Sequence, residues 1–222
     1  DRLGPERACA QGWISPRAMR NGIIVTVLFA CLIGSALLFY AGWELIIVGL
    51  LCVLFAFLYT TGPYPLSYNG WGDVLVIVFF GFVPVGGTYY VQALTWTSDT
   101  TVASLICGLL IDTLLVVNNY RDREADARSG KRTVIVRFGE KFGRYLYLML
   151  GVAASLLCFW FFFEGHLFAA LLPLLYLIPH VLTWRRMVQI HSGKKLNSIL
   201  GETSRNMLLM GILLSIGFLI RH

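Results

Sequence analysis

What most limits the fold open to this chain is a series of seven apolar segments, roughly 21–40, 45–60, 74–97, 100–118, 145–163, 166–184 and 206–220. A hydrocarbon core of about 30 Å takes about 20 residues of helix to cross. Each segment is rich in Leu, Ile, Val and Phe and lacks period-two alternation, which excludes the strands of a barrel. The second and last are short and are expected to tilt little or to borrow flanking residues. With 14% of the 222 residues charged and 57% hydrophobic, the chain has too little polar surface for a water-soluble domain. The expectation is an all-α, polytopic transmembrane helical bundle that forms a single domain over residues 1–222.

Charge then orients the bundle. If residues 1–20 lie on one side, so do 61–73, 119–144 and 185–205, while 41–44, 98–99, 164–165 and the C-terminus lie on the other. Of the 18 Lys and Arg residues only Arg221 falls on the second side, which otherwise carries Glu44, Asp99 and Glu164. The positive-inside rule makes the first side cytoplasmic. The net charge of +6 is thereby a topology signal, and no nucleic-acid partner is expected. The five cysteines are spread along the chain, four of them inside apolar runs, and read as small buried hydrophobes.

Chemistry concentrates between the fourth and fifth segments. Residues 118–139, NNYRDREADARSGKRTVIVRFG, hold three acids and six basic residues at the membrane surface. Asn118, Asp122 and Asp126 are spaced i, i+4, i+8, so a helix running past the membrane would carry them on one face. Such hard oxygen ligands suit Mg²⁺, which takes one or two carboxylates and completes its shell with water and substrate phosphates. No His or Cys lies nearby, as zinc would require. Downstream, Arg128, Lys131, Arg132 and Arg137 supply the complement of a diphosphate, and Gly130 allows a turn between the acidic and basic parts. The plainer reading of the same loop is a positive-inside segment whose acids balance its charge.

The stretch 118–133 resembles the second aspartate-rich motif of the UbiA superfamily of membrane-embedded aromatic prenyltransferases. The earlier loop from Tyr59 to Asp73, YTTGPYPLSYNGWGD, and the following VLVIVFFGFVPVGGTYYVQ look like the branch whose acceptor is 1,4-dihydroxy-2-naphthoate. The resemblance runs along essentially the whole chain. It implies a nine-span helical bundle around a central cavity, Mg²⁺ as cofactor, and transfer of a polyprenyl group from polyprenyl diphosphate on the way to menaquinone. It also implies a bacterial cytoplasmic (inner) membrane, with the motif loops 61–73 and 119–144 cytoplasmic, and no obligate protein partner. The family carries a first motif of the form N-D-x-x-D that nothing here matches, and residues 1–20 resemble the stretch just after it. Two N-terminal helices are therefore expected to be missing from this chain, which would then hold half of the metal site.

In such a transfer the allylic C–O bond weakens and negative charge grows on the departing diphosphate. Mg²⁺ on Asp122 and Asp126, assisted by Asn118, would neutralise it, and Arg121, Lys131 and Arg132 would clamp the oxygens. The resemblance adds Tyr59 as a hydroxyl donor to the diphosphate, against the alternative of a tyrosine in the interfacial belt. Phe79, Phe80, Tyr89 and Tyr90 are candidates for shielding an allyl cation, though most Phe residues here are expected to face lipid or neighbouring helices. Asp112, two turns deep in the fourth span, is costly in hydrocarbon and so a candidate for acceptor binding or proton acceptance. A satisfied interhelical hydrogen bond would also account for it. Asp73 suits the start of the third span on dipole grounds alone, and the resemblance of its G-x-G-D turn places it near the acceptor. His180 is expected to make a packing hydrogen bond and His191 to be a solvated loop residue or an interfacial contact. Pro84, Gly86, Gly87, Pro173 and Pro179 are expected to kink or closely pack the third and sixth spans.

Other classes compete. A transporter shares the spans and the intramembrane acid but has no need of an Asp-plus-Lys/Arg motif on one loop. A CDP-alcohol phosphotransferase needs an acid spacing that is absent after Asp122. A catalytically inactive relative remains open because the first aspartate motif is missing. Within the prenyltransferases, hydroxybenzoate and homogentisate are the alternative acceptors.

Overall fold

A computed structural model describes residues 3, 4 and 6–220. The described chain is helical throughout. Six helices are long and apolar enough to cross a membrane: α1 (Pro16–Phe39), α3 (Gly72–Ala93), α4 (Ser98–Arg128), α6 (Glu140–Phe163), α7 (Leu167–Ile190) and α8 (Leu196–Leu219). Between α1 and α3 lies the shorter apolar helix α2 (Glu44–Thr60), and α5 (Val134–Phe138) is a single turn between α4 and α6. The seven apolar segments thus all lie in helices. Arg221, the one basic residue assigned to the second side, lies outside the described residues.

Local chemistry sets several helix starts. Ser15 accepts from the Ala18 N–H at 3.2 Å with Pro16 at the first helical position, and Thr97 accepts from the Thr100 N–H at 3.2 Å. Thr133 caps α5 in the same way. Two of the three prolines singled out in the third and sixth spans sit where the helix departs from α geometry, while Pro179 lies in the first turn of the regular α-helical stretch Leu177–Ile190. Pro84 sits within the π-helical middle of α3, Ile77–Gly86, and Pro173 within a 3₁₀ stretch of α7, Leu172–Tyr176.

Two expected loops are largely helix. Residues 119–128 continue α4 and 134–138 form α5, so the segment 119–144 is loop only at its turns. Likewise α7 runs to Ile190 and α8 starts at Leu196, which leaves only residues 191–195 of the expected loop 185–205 and lengthens the last span. Hydropathy fell where charge began, but these charges are paired across helices. Arg186 Nη1 meets Glu202 Oε1 at 2.6 Å, while Thr183 donates to Glu202 and accepts from Asn206 Nδ2 at 2.9 Å.

The core lies among α4, α6, α7 and α8. Val116, Val117, Tyr147, Met187 and Ile199 pack together at the end nearer residues 119–144, and Ile106, Ala154, Phe161, Tyr176 and Met210 toward the other. His180 is fully buried there, stacked on Tyr147 and Tyr176, with Nδ1 2.9 Å from the Tyr176 hydroxyl and Nε2 3.2 Å from the Leu148 carbonyl. It is a packing histidine, as expected. By contrast α1 and α2 bury no residue, and Leu28, Phe29, Leu32 and Ile33 of α1 are each at least 60% exposed. In water such a surface would aggregate; in lipid it is the ordinary outer face.

The pairing of α3 with α4 positions the site. A Cβ on Gly81 would overlap the Ser104 carbonyl oxygen and lie 2.8 Å from Gly108 Cα, and one on Gly108 would lie 3.0 Å from Ile77 Cα. The two backbones therefore cross almost in contact, the small-residue packing that membrane helices use in place of a hydrophobic drive. Each four-residue step down α3 matches a four-residue step up α4. One turn beyond Ile77 and Gly108, that register sets Asp73 opposite Asp112.

Candidate active site

The 31 residues of α4 span about 46 Å, more than a bilayer core needs, so its last turns project beyond it. Asn118, Asp122 and Asp126 lie on this one continuous helix and share a face at the membrane surface. Arg121, only 3% exposed, is the hub of that face. Its Nε and Nη2 donate to both oxygens of Asp122 at 2.8 and 2.6 Å, Nη2 also donates to Asn118 Oδ1 at 2.6 Å, and Nη1 donates to Asn197 Oδ1 at 2.8 Å. The fork of the guanidinium thus holds Asn118 and Asp122 in place and ties them to the first turn of α8.

Asp126 has a different partner. Gly130 takes φ +74°, Gly130 N–H donates to the Ala127 carbonyl and Lys131 N–H to the Asp126 carbonyl, closing α4 in a Schellman turn. That reversal brings the Lys131 ammonium back over the last turn, 3.2 Å from Asp126 Oδ2. The chain then runs to the other motif. Arg132 N–H donates to the Tyr68 carbonyl at 2.7 Å, and Arg137 Nη2 to the Asn69 carbonyl at 2.7 Å. The seam closes over Gly70, at φ +84°, where a Cβ would lie 2.9 Å from the Arg132 carbonyl oxygen. Only glycine tolerates both that φ and that approach.

The two motifs enclose a small cavity lined by Tyr59, Ser67, Asp73, Asn119, Lys131 and Thr133. Ser67 fixes the end of α2 by donating to the Tyr59 carbonyl at 2.6 Å. The Tyr59 hydroxyl lies near Gly72, at the start of α3. Asp73 occupies the first turn of α3, one residue inside the helix start and not at its cap. Asp112 is 1% exposed, deeper in α4 than the cavity and on the side facing the start of α3. Asp73 Oδ1 and Asp112 Oδ1 are both sealed from solvent without a hydrogen-bond partner.

The structure thus gathers Tyr59, Asp73 and Lys131 around one space, with Asp112 buried behind it and Asn118, Asp122 and Asp126 beside it. Arg121 is committed to its four hydrogen bonds and does not face that space, whereas Arg132 contributes its backbone and leaves its side chain exposed. Phe80 and Tyr89 are 56% and 40% exposed and Phe79 stacks on Phe55 at 5.2 Å, an arrangement unlike a closed cation cage. His191 sits exposed in the turn after α7, as expected, and contacts its neighbours there: Nε2 lies 3.2 Å from Glu140 Oε1, in a network with Arg123, Tyr120 and Arg144. Ser67, Thr133 and Asn197 belong to the site without having been singled out; Asn119, seven residues after Asp112 on nearly the same helical face, is the one further member that the spacing along α4 points to.

Whether Mg²⁺ fits rests on the donors. Asn118, Asp122 and Asp126 offer oxygen alone, and among the described residues no group of three or more His, Cys, Asp or Glu is arranged to hold a metal. This set fits a cation shared with a phosphate ligand, which Mg²⁺ accepts, and not an all-protein cage.

Comparison with known proteins adds an independent line. The model of the UbiA prenyltransferase family matches residues 1–215. The 1,4-dihydroxy-2-naphthoate octaprenyltransferase of Haemophilus influenzae is 36% identical over 99% of this chain and 74% of its own length. Those of Escherichia coli and Mycobacterium tuberculosis are each 38% identical, over 71% and 72% of this chain. In these two the match spans about half of the relative's length, 53% and 54%. No solved structure matches the chain.

Proposed function

Because this chain belongs to the UbiA prenyltransferase family, we propose that it transfers a polyprenyl group from polyprenyl diphosphate to 1,4-dihydroxy-2-naphthoate, releasing diphosphate and the ring carboxyl group as CO₂ and yielding the reduced (quinol) form of demethylmenaquinone for menaquinone biosynthesis. The observation that carries this reading is the convergence of residues 59–73 and 119–133 on one cavity, with a cationic side at Lys131 and an acidic side at Asp73. The named relatives point to the same acceptor. Six long apolar helices fit a reaction whose prenyl donor is itself insoluble in water, and the gathering of basic residues on the motif side supports a site on the cytoplasmic face of a bacterial inner membrane.

Asn118, Asp122 and Asp126 would hold Mg²⁺ together with the diphosphate, and the metal would supply Lewis-acid stabilisation of the leaving group. The remaining work falls to the chain's own residues. Lys131 lies between Asp126 and the cavity and binds the diphosphate as a point charge, with Arg132 reaching it from solvent. Tyr59 donates its hydroxyl to the departing oxygen. Arg121 keeps Asp122 and Asn118 oriented, so its role is positioning more than clamping. The apolar helices around the cavity keep water from the allylic carbon while its C–O bond breaks and its bond to the ring carbon forms. Asp73 and Asp112 belong to the acceptor side.

The test supplies membranes carrying the protein with Mg²⁺, a polyprenyl diphosphate and equal amounts of dihydroxynaphthoate, hydroxybenzoate and homogentisate, and identifies products by mass spectrometry. A single prenylated naphthoquinol that vanishes with EDTA is expected. A product on another acceptor would reassign the substrate, and no product from folded protein would overturn the reaction.

A further inference from the structure

Arg121 orients the acidic face of α4, and its own orientation depends on a residue from another helix. The guanidinium is buried, so any N–H without an acceptor there is a lost hydrogen bond. Its bonds to Asn118 and to both oxygens of Asp122 stay within one turn of α4 and use only Nε and Nη2. Nη1, on the opposite side of the plane, donates to Asn197 Oδ1 at 2.8 Å. Among the described residues Asn197 is the one partner of Arg121 that comes from elsewhere in the fold.

Asn197 is itself held from two directions. Its Nδ2 donates to the Leu3 carbonyl at 3.0 Å. A guanidinium only donates and a carbonyl only accepts, so the two partners leave one orientation for the amide, with oxygen toward Arg121 and nitrogen toward Leu3. The backbone beneath it is anchored by Leu196, which is fully buried in the same cluster as Val116, Val117 and Tyr120. Asn197 is an exposed residue, so its own burial does not call for these bonds. What they fix is the fork. A guanidinium is a rigid plane, and bonds along one side leave it free to rock about Asp122, whereas a bond on the opposite side stops that motion.

Resting on the prenyl-transfer reading above, we infer that Asn197 is a positioning residue for the reaction, acting through Arg121 to set the Asn118 and Asp122 oxygens that would share Mg²⁺ with the diphosphate. Without its acceptor, Nη1 is buried and unsatisfied, and the fork turns toward water or another oxygen and takes Asp122 with it. The same amide makes the segment at Leu3 part of the support of the site, because Leu3 fixes the group that fixes the fork. Three parts of the chain that are far apart in sequence thus meet at one side chain. Aspartate in this place would still accept from Nη1, but it would turn an oxygen on the Leu3 carbonyl. Alanine would serve neither partner.

The experiment uses the full chain in detergent and follows equilibrium binding of farnesyl thiolodiphosphate, in which sulfur replaces the bridging oxygen at the allylic carbon, as Mg²⁺ is raised with no acceptor present. Asn197→Ala is expected to raise the Mg²⁺ concentration for half-maximal binding by about tenfold, and Asn197→Asp to bring it back to within about threefold of native. Ser198→Ala, which removes a bond to the Lys195 carbonyl at the same helix start and touches nothing on α4, should leave it unchanged. In turnover at fixed Mg²⁺, Asn197→Ala should lower kcat about tenfold and keep the KM for the aromatic acceptor within about twofold. Should Asn197→Ala not accumulate, Asn197→Ser, whose hydroxyl is too short to reach Nη1, carries the comparison. An unchanged Mg²⁺ requirement in either folded variant, or an equal rise in Ser198→Ala, would reduce Asn197 to support of the helix start and overturn the inference. Equal losses in Asn197→Ala and Asn197→Asp would overturn its action through Nη1. Native protein that binds no analogue at any Mg²⁺ concentration would overturn the prenyl-transfer reading and this one together, whereas Mg²⁺-dependent binding that is indifferent to Asn197 removes the positioning role alone.

Discussion

At the scale of single residues, the acidic face of α4 works through its partners. Asp122→Asn or Asp126→Asn would keep the fold, since each loses one partly exposed ion pair, but should lower turnover by about 10²–10³-fold because both act on charge that grows in the transition state. Single-turnover kinetics on folded variants checks this, and near-native rates would remove both residues from the chemistry. Lys131→Ala should mainly raise the KM for polyprenyl diphosphate; an unchanged KM would return Lys131 to a topology role. Arg121→Lys keeps the charge but cannot span Asp122, Asn118 and Asn197 at once, so it should lose much of the activity and show weaker Mg²⁺ dependence. The i, i+4, i+8 spacing was readable because a helix repeats locally. The bond from Arg121 to Asn197 was not, since 76 residues separate them and no periodicity links the two. The reach of Asp112 toward Asp73 was hidden for the same reason.

At the scale of elements, the contact between α3 and α4 determines how far apart the acids lie. Gly81→Ala places a methyl where the Ser104 carbonyl already stands, backbone against backbone, so the helices must separate. A destabilisation of about 1–3 kcal/mol is expected, with loss of acceptor binding before loss of expression. Thermal unfolding in detergent together with the acceptor KM would show it, and a neutral result would mean that the crossing is looser than described. Helix existence was legible for all seven apolar segments because composition alone separates lipid-facing helix from water-facing chain. Helix ends were less so. The last span was expected at 206–220 and runs over Leu196–Leu219, because Glu202 finds Arg186 and Thr183 on α7 and so remains in the helix. Hydropathy reads a charge as an end unless the partner is known. Segment 119–144 was misread as loop in the same way, where Glu140 binds Arg123 and Arg144 and starts α6.

At the scale of the whole molecule, charge and lipid organise everything else. The ion pairs of Arg123, Glu140 and His191 gather at one end of the bundle, and the Trp160 indole donates to Asp99 at 2.7 Å at the other. Orientation follows from the basic residues, so in intact cells a membrane-impermeant thiol reagent should label Glu164→Cys and spare Ser192→Cys until the membrane is opened. The reverse pattern would place the site on the outer face. The sequence by itself determined that the chain is helical, that it lives in lipid, which end is basic, and that an acid ladder and a basic turn lie side by side. Those properties are composition and short-range period, and they survive without knowing which helix touches which. Only the tertiary structure decided that Arg121 holds its neighbours and faces away from the cavity, that the Tyr59–Asp73 loop closes against residues 131–137, and that Asp73 meets Asp112. The physical reason is that these depend on the register of helices crossing at glycine, where a shift of one residue would turn each side chain by about 100° around its axis.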